Sequence, residues 1–121
     1  FRPYVESLMV GKTKVLTVEQ PFMFASTSGT TGESKYIPVT NGYIKEFRAA
    51  SVVSGYYLLK NFPGLASGIA FSMTSPAEQG RTACGIPYGA ISGTLFKKEP
   101  FLVKKYISPI PYEAYLIADY E

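Results

Sequence analysis

Between Phe24 and Pro38 the chain reads Phe-Ala-Ser-Thr-Ser-Gly-Thr-Thr-Gly-Glu-Ser-Lys-Tyr-Ile-Pro. Thr27, Ser28, Thr30 and Thr31 offer hydroxyl donors, and Lys35 adds a mobile point charge. Gly29 and Gly32 let the backbone turn and approach a ligand closely. Successive backbone N–H groups on such a turn form an anion-binding nest. Together these groups suit a polyphosphate. The spacing is not that of a Walker loop, which needs Gly, four residues, then Gly-Lys-Ser/Thr. Counting from Gly29, Ser34 stands in the place of the second Gly, and Tyr36 follows Lys35. A bland polar loop needs only one or two special residues. Here the whole run from Thr27 to Lys35 is suited to phosphate.

Such a loop must be held by its flanks. Pro21 to Ala25 reads as a short strand that launches it, and Tyr36 to Val39 as a second strand paired with the first. Thr40 is a good N-cap. From Asn41 to Asn61 the pattern is helical, with Ile44, Phe47, Ser51, Ser54 and Leu58 on one face, and Pro63-Gly64 ends it. Its small residues, Ala49-Ala50-Ser51 and Ser54-Gly55, predict close packing on a sheet or against another helix. Before the loop, Pro3 to Val10 predicts a short helix with Gly11 as its C-cap, packing through Tyr4, Val5 and Leu8. Beyond the long helix, Gly68 to Met73 reads as a buried strand. Thr74 to Gly93 reads as a long glycine-rich loop carrying Arg81, Tyr88 and Ser92. It is either folded over a ligand or a surface insertion. Phe101 to Ile107 predicts a helix with Lys104 and Lys105 exposed. Pro111 starts another, packing through Tyr112, Tyr115, Leu116 and Ala118. The expected class is α/β.

Composition narrows the function. At 121 residues, 46% hydrophobic and 17% charged, the chain fits one folded domain with a modest core. Ten Tyr and eight Phe imply much buried or pocket-lining surface. A net charge of +3, scattered along the chain, gives no basic stripe for nucleic acid. No apolar run is long enough to cross a membrane. Cys84 is the only cysteine and the chain has no His. An intramolecular disulfide is therefore impossible, a thiol nucleophile would lack its base, and the lean is to a cytoplasmic location. The opening Phe1-Arg2-Pro3 without Met, and an end in mid-pattern at Glu121, lead us to expect a fragment, with exposed sheet edges and apolar surface.

The Thr27–Lys35 run resembles the phosphate-binding signature of the acyl-adenylate-forming superfamily, with Ser34 where that superfamily usually has Pro. Acyl-CoA synthetases typically continue with Gly-Val and an apolar run ending in Thr-His. This chain continues Tyr36-Ile37-Pro38-Val39-Thr40, which resembles the auxin-responsive-promoter (Gretchen Hagen) family of acyl acid–amido synthetases. Gly80-Arg81-Thr82-Ala83-Cys84-Gly85-Ile86-Pro87-Tyr88-Gly89 is similar to that family's Thr-Pro-Gly-Gly region. Ala83 and Cys84 depart from its Pro and first Gly. The resemblance covers essentially the whole chain and implies that residues 1–121 are part of the large N-terminal domain of an acyl-adenylate-forming enzyme, truncated at both ends.

The resemblance implies a reaction: ATP activates a carboxylic acid as its adenylate, and an amino acid's amine then takes the acyl group. Thr27, Ser28, Gly29, Thr30, Thr31, Gly32 and Lys35 would bind the ATP phosphates. Mg²⁺ would accompany ATP, held by phosphates and water, and no metal residue or catalytic residue is assigned. Phe47, Arg48 and Tyr88 are candidates for the acyl-acid pocket, against the ordinary reading of Arg48 as a solvated helix-face side chain. The expected partners are ATP, a carboxylic acid and an amino acid, with neither nucleic acid nor membrane. Two alternatives stand. An acyl-CoA or aryl-CoA ligase shares the loop but transfers to a thiol; Tyr36-Ile37-Pro38 speaks against it. A non-catalytic nucleotide-binding module would lack the downstream adenylate motifs.

Overall fold

The computed structural model describes residues 1–27, 34–70, 73–106 and 108–116, and the side chains of Leu102, Tyr106, Tyr115 and Leu116 lie outside that description. A sheet of β1 (Met23–Thr27), β2 (Lys35–Val39), β3 (Gly80–Arg81) and β4 (Pro87–Gly89) has the order β2-β1-β4-β3. β1 pairs antiparallel with β2 and parallel with β4, and β3 pairs antiparallel with β4.

The central strand explains the architecture. Side chains alternate across a strand, so Met23 and Ala25 face one way and Phe24 the other. Met23 and Ala25 cluster with Val39 and Ile44, and Phe22, Ile91 and Leu95 pack against them. Phe24 clusters with Val5 and Leu8, backed by Tyr36, Ile86 and Tyr88. Both faces of β1 are thus covered, as its run of apolar residues requires.

Helix α1 (Arg2–Met9) covers the Phe24 face with Val5 and Leu8, three residues apart on one stripe. Tyr4, expected on that stripe, is instead 57% exposed. Tyr4 is four positions before Leu8 but next to Val5, so it falls at the margin of the stripe and not at its centre. Gly11 takes φ +97°, the left-handed conformation that ends helices, and its N–H bonds the Leu8 carbonyl at 3.0 Å. Helix α2 (Asn41–Asn61) begins at Thr40, whose Oγ1 accepts the Tyr43 N–H at 3.2 Å. Of the face expected to pack, Ile44 is buried, whereas Phe47 and Leu58 are 41% and 52% exposed. Ser51 and Ser54 are exposed too. Only the first turn of α2 lies against the sheet.

Two expectations for the second half are corrected. Gly68, Ile69, Ala70 and Met73 are exposed and in no strand; Phe71 and Ser72 lie outside the described residues. An apolar run becomes a strand only where another strand offers it hydrogen bonds. The stretch from Thr74 to Gly93 is no continuous loop either. It contains β3, β4 and the start of helix α3 (Ile91–Lys97). Glycines and prolines suggested a loop, yet Gly89 and Gly93 serve close approach. A Cβ at either would run into the backbone of residues 75–77. That strap is tied down by the Ala90 N–H to the Pro76 carbonyl (3.0 Å), the Gln79 N–H to the Tyr88 carbonyl (2.8 Å) and the Ala77 N–H to the Tyr112 hydroxyl (2.6 Å).

Helix α4 (Phe101–Tyr106) forms where expected; Ile107 lies outside the described residues. Lys104, expected exposed, is half-buried, its Nζ donating to the Lys97 carbonyl at 2.8 Å. After Pro111 the chain makes a 3-10 turn (Tyr112–Leu116) with Tyr112 half-buried. The expected packing through Tyr115, Leu116 and Ala118 lies outside the described side chains.

Candidate functional site

The β1–β2 hairpin carries the hydroxyl- and glycine-rich run at its open end. Its register pairs Met23 with Val39 at the foot and Thr27 with Lys35 at the tip. The chain therefore leaves β1 at Thr27 and returns at Lys35, directly opposite. The Thr27 hydroxyl lies 3.5 Å from the Lys35 carbonyl, at the long end of hydrogen-bond range. Thr27, Ser34 and Lys35 are all exposed. Ser28, Gly29, Thr30, Thr31, Gly32 and Glu33 lie outside the described residues. Beside the tip, between α1 and β2, opens a cavity of ≈ 660 Å³ lined by Val5, Met9, Thr27, Ser34, Lys35 and Tyr36, among others.

The foot of the hairpin is tied twice. The Phe22 N–H donates to the Val39 carbonyl at 3.0 Å. The Glu19 carboxylate accepts from Asn41 N–H at 3.2 Å and from Gly42 N–H at 3.0 Å, the first two residues of α2. The Gly42 N–H, with help from Asn41 and Thr40, holds the Glu19 carboxyl below the usual carboxylate value, against a smaller opposing effect of desolvation. Negative charge at a helix N-terminus is itself favourable. Sequence reading did not find Glu19; an acidic residue in a connector has no spacing that marks it.

The three candidates for an acyl-acid pocket are not brought together. Phe47 and Arg48 sit on α2. Phe47 stacks obliquely on Tyr43, with ring centroids 6.2 Å apart. Arg48 Nη2 donates to the Lys98 carbonyl at 3.0 Å, so it secures α2 to the end of α3. Tyr88 is on the other face of the sheet, in the Phe24 cluster, edge-on to Tyr36 at 5.2 Å between centroids. Among the described residues no group of three or more His, Cys, Asp or Glu is placed to hold a metal ion. No described helix is long and apolar enough to cross a membrane.

Comparisons with known proteins give one consistent result. The family model for the GH3 family N-terminal domain matches residues 1–121. Among solved structures, AtGH3.15 acyl acid amido synthetase in complex with 2,4-DB superposes with a TM-score of 0.70 at 23% identity. The match covers 88% of this chain and 18% of that chain, so the chain spans under a fifth of that protein. A comparison with curated proteins finds no match.

Proposed function

The chain belongs to the GH3 family, and from that premise we propose that it is part of an ATP-dependent synthetase that adenylates a carboxylic acid and passes the acyl group to an amino acid's amine. The observation that carries this reading is the hairpin. Thr27 and Lys35 are in register on a strand pair whose inner member is buried on both faces. A phosphate-binding run needs flanks that do not move, and these two residues provide them.

In the first step a carboxylate oxygen of the acid attacks the α-phosphorus of ATP. The bond from that phosphorus to the pyrophosphate bridge breaks, giving the acyl adenylate and pyrophosphate. In the second, the amine nitrogen attacks the acyl carbon, AMP leaves, and the amine's proton goes to solvent. Charge grows on the pyrophosphate in the first step, so positioned donors there act on the transition state. The hydroxyls of Thr27, Ser28, Thr30 and Thr31 donate to the β- and γ-phosphates. Gly29 and Gly32 bring backbone N–H groups within reach, and Lys35 offsets the charge. Mg²⁺ would accompany the nucleotide as its counter-ion and shield phosphate charge, held by phosphates and water, and no residue of this chain is assigned to it. Phe47 and Arg48, on the same side of the sheet, are the candidates for contact with the acid; Tyr88, across the sheet, supports the loop's base through Tyr36. A cytoplasmic location, where ATP and free amino acids are at hand, goes with this reading.

The test is made on the full-length protein. Labelled pyrophosphate should exchange into ATP only when a carboxylic acid substrate is added, and amide should form when an amino acid follows. Amide formation without acid-dependent exchange would rule out the adenylate route.

A further inference from the structure

Helix α2 already has a cap of its own. Thr40 satisfies the Tyr43 N–H from the adjoining residue, as N-caps do. Glu19 adds something that a local cap cannot. It lies before β1, whereas the N–H groups it accepts from follow β2. Its own backbone is held, since the Thr17 hydroxyl donates to the Glu19 carbonyl at 2.6 Å. The carboxylate therefore ties the entry of one strand to the exit of the next, just below the Phe22–Val39 bond.

We propose that Glu19 is a positioning residue for the phosphate loop: by gripping Asn41 and Gly42 it fixes the β1–β2 register that sets Lys35 opposite Thr27. The proposal rests on the reading of that loop as the ATP phosphate site. Register is the quantity at stake, because a slip of one residue turns every side chain of a strand to the opposite face. Such a slip would carry Lys35 roughly 3.3 Å along the strand and turn it away. Among the described residues β2 is an edge strand, paired only with β1. Fewer ladder bonds guard its register than guard an inner strand. The charged tie at the foot replaces what the ladder lacks. It also fills the two N–H groups with which the start of α2 could attract an anion, leaving the loop as the hairpin's phosphate site.

The experiment uses the full-length protein and acid-dependent pyrophosphate exchange, with KM measured separately for ATP and for the acid. Glu19→Gln keeps the shape and one acceptor, Glu19→Ala keeps neither, and Tyr112→Phe removes a hydrogen bond that lies outside the hairpin. Glu19→Gln should raise KM for ATP about threefold to tenfold, a part of what a lost charge-assisted bond is worth. Glu19→Ala should raise it further, with KM for the acid unchanged in both. Tyr112→Phe should lower the melting temperature and leave both KM values alone. If Glu19→Ala does not fold, Glu19→Gln decides. A Glu19→Gln enzyme that melts earlier but keeps the wild-type KM for ATP would reduce Glu19 to a helix cap and overturn the proposal alone. Wild-type protein without acid-dependent exchange would overturn the phosphate-loop reading, and this inference with it.

Discussion

The β1–β2 hairpin and α2 meet at Thr40, yet they are held in opposite ways. Phe24 is fully buried and Met23 and Val39 are 2% exposed, so the body of the hairpin is held by packing on both sides, with the Glu19 carboxylate as a tie at its foot. In α2 only Ile44 is buried, while Val52 and Tyr56 are 72% and 59% exposed. The helix rests on its backbone, the Thr40 cap, the Glu19 carboxylate and the Arg48 tie to Lys98. Its apolar side chains point all round, the pattern of a helix that a larger protein encloses. The contrast teaches where the site's rigidity comes from. The flanks of the Thr27–Lys35 run are built by this chain's own core; the helix behind them is aligned by polar contacts at its ends.

The contrast can be broken first at its strongest point. Phe24→Ala should cost about 3–5 kcal/mol in denaturant unfolding, while Val53→Ala on α2 should stay within about 0.5 kcal/mol. Equal losses at the two positions would erase the distinction. A smaller effect sharpens the boundary of the rigid part. Gly93→Ala places a methyl against the Ser75 carbonyl and the Ala77 backbone, and overpacking of this kind costs about 1–3 kcal/mol. Thermal unfolding of that variant shows whether the 75–77 strap belongs to the core.

The smallest effect is set by pH. Glu19 has its pKa lowered in the folded state, by the Gly42 N–H above all. A lowered carboxylate contributes stability that is present above the ordinary value of 4.5 and lost as pH falls through the folded value. Glu99 works the other way. Burial raises its pKa, with Lys104 opposing, so its penalty on the folded state eases as pH falls. Melting curves from neutral pH down past 4.5 should therefore fall more steeply for wild type than for Glu19→Gln, because only wild type loses the tie. Parallel curves would mean that the carboxylate contributes nothing.

How far the sequence reaches follows from the same contrast. The strand–loop–strand unit, the Thr40 cap and the extent of α2 are local, written in hydroxyls, glycines and a helical period, and they are legible. What depends on distant partners is not. Gly68 to Met73 has the composition of a strand and is none in the described residues, since composition does not say whether a neighbour is there. The glycines of Thr74–Gly93 look like flexibility and instead, at Gly89 and Gly93, admit a crossing backbone. Phe47 and Tyr88 look like one pocket on paper and stand on opposite sides of a sheet. Glu19 is silent in the sequence because its partners are 22 and 23 positions away.

The central claim is that the Thr27–Lys35 run holds the β- and γ-phosphates during adenylation. It is tested most directly by acid-dependent exchange of labelled pyrophosphate into ATP, in full-length protein carrying Thr30→Ala or Gly29→Val. Thr30→Ala removes one donor to a charged oxygen, worth about 1.5–3 kcal/mol, and should slow exchange on the order of 10- to 200-fold. Gly29→Val puts a branched side chain in place of the residue type freest to turn, and should slow it as well. If both variants exchange at the wild-type rate, the phosphate assignment is wrong and the run is an ordinary polar loop.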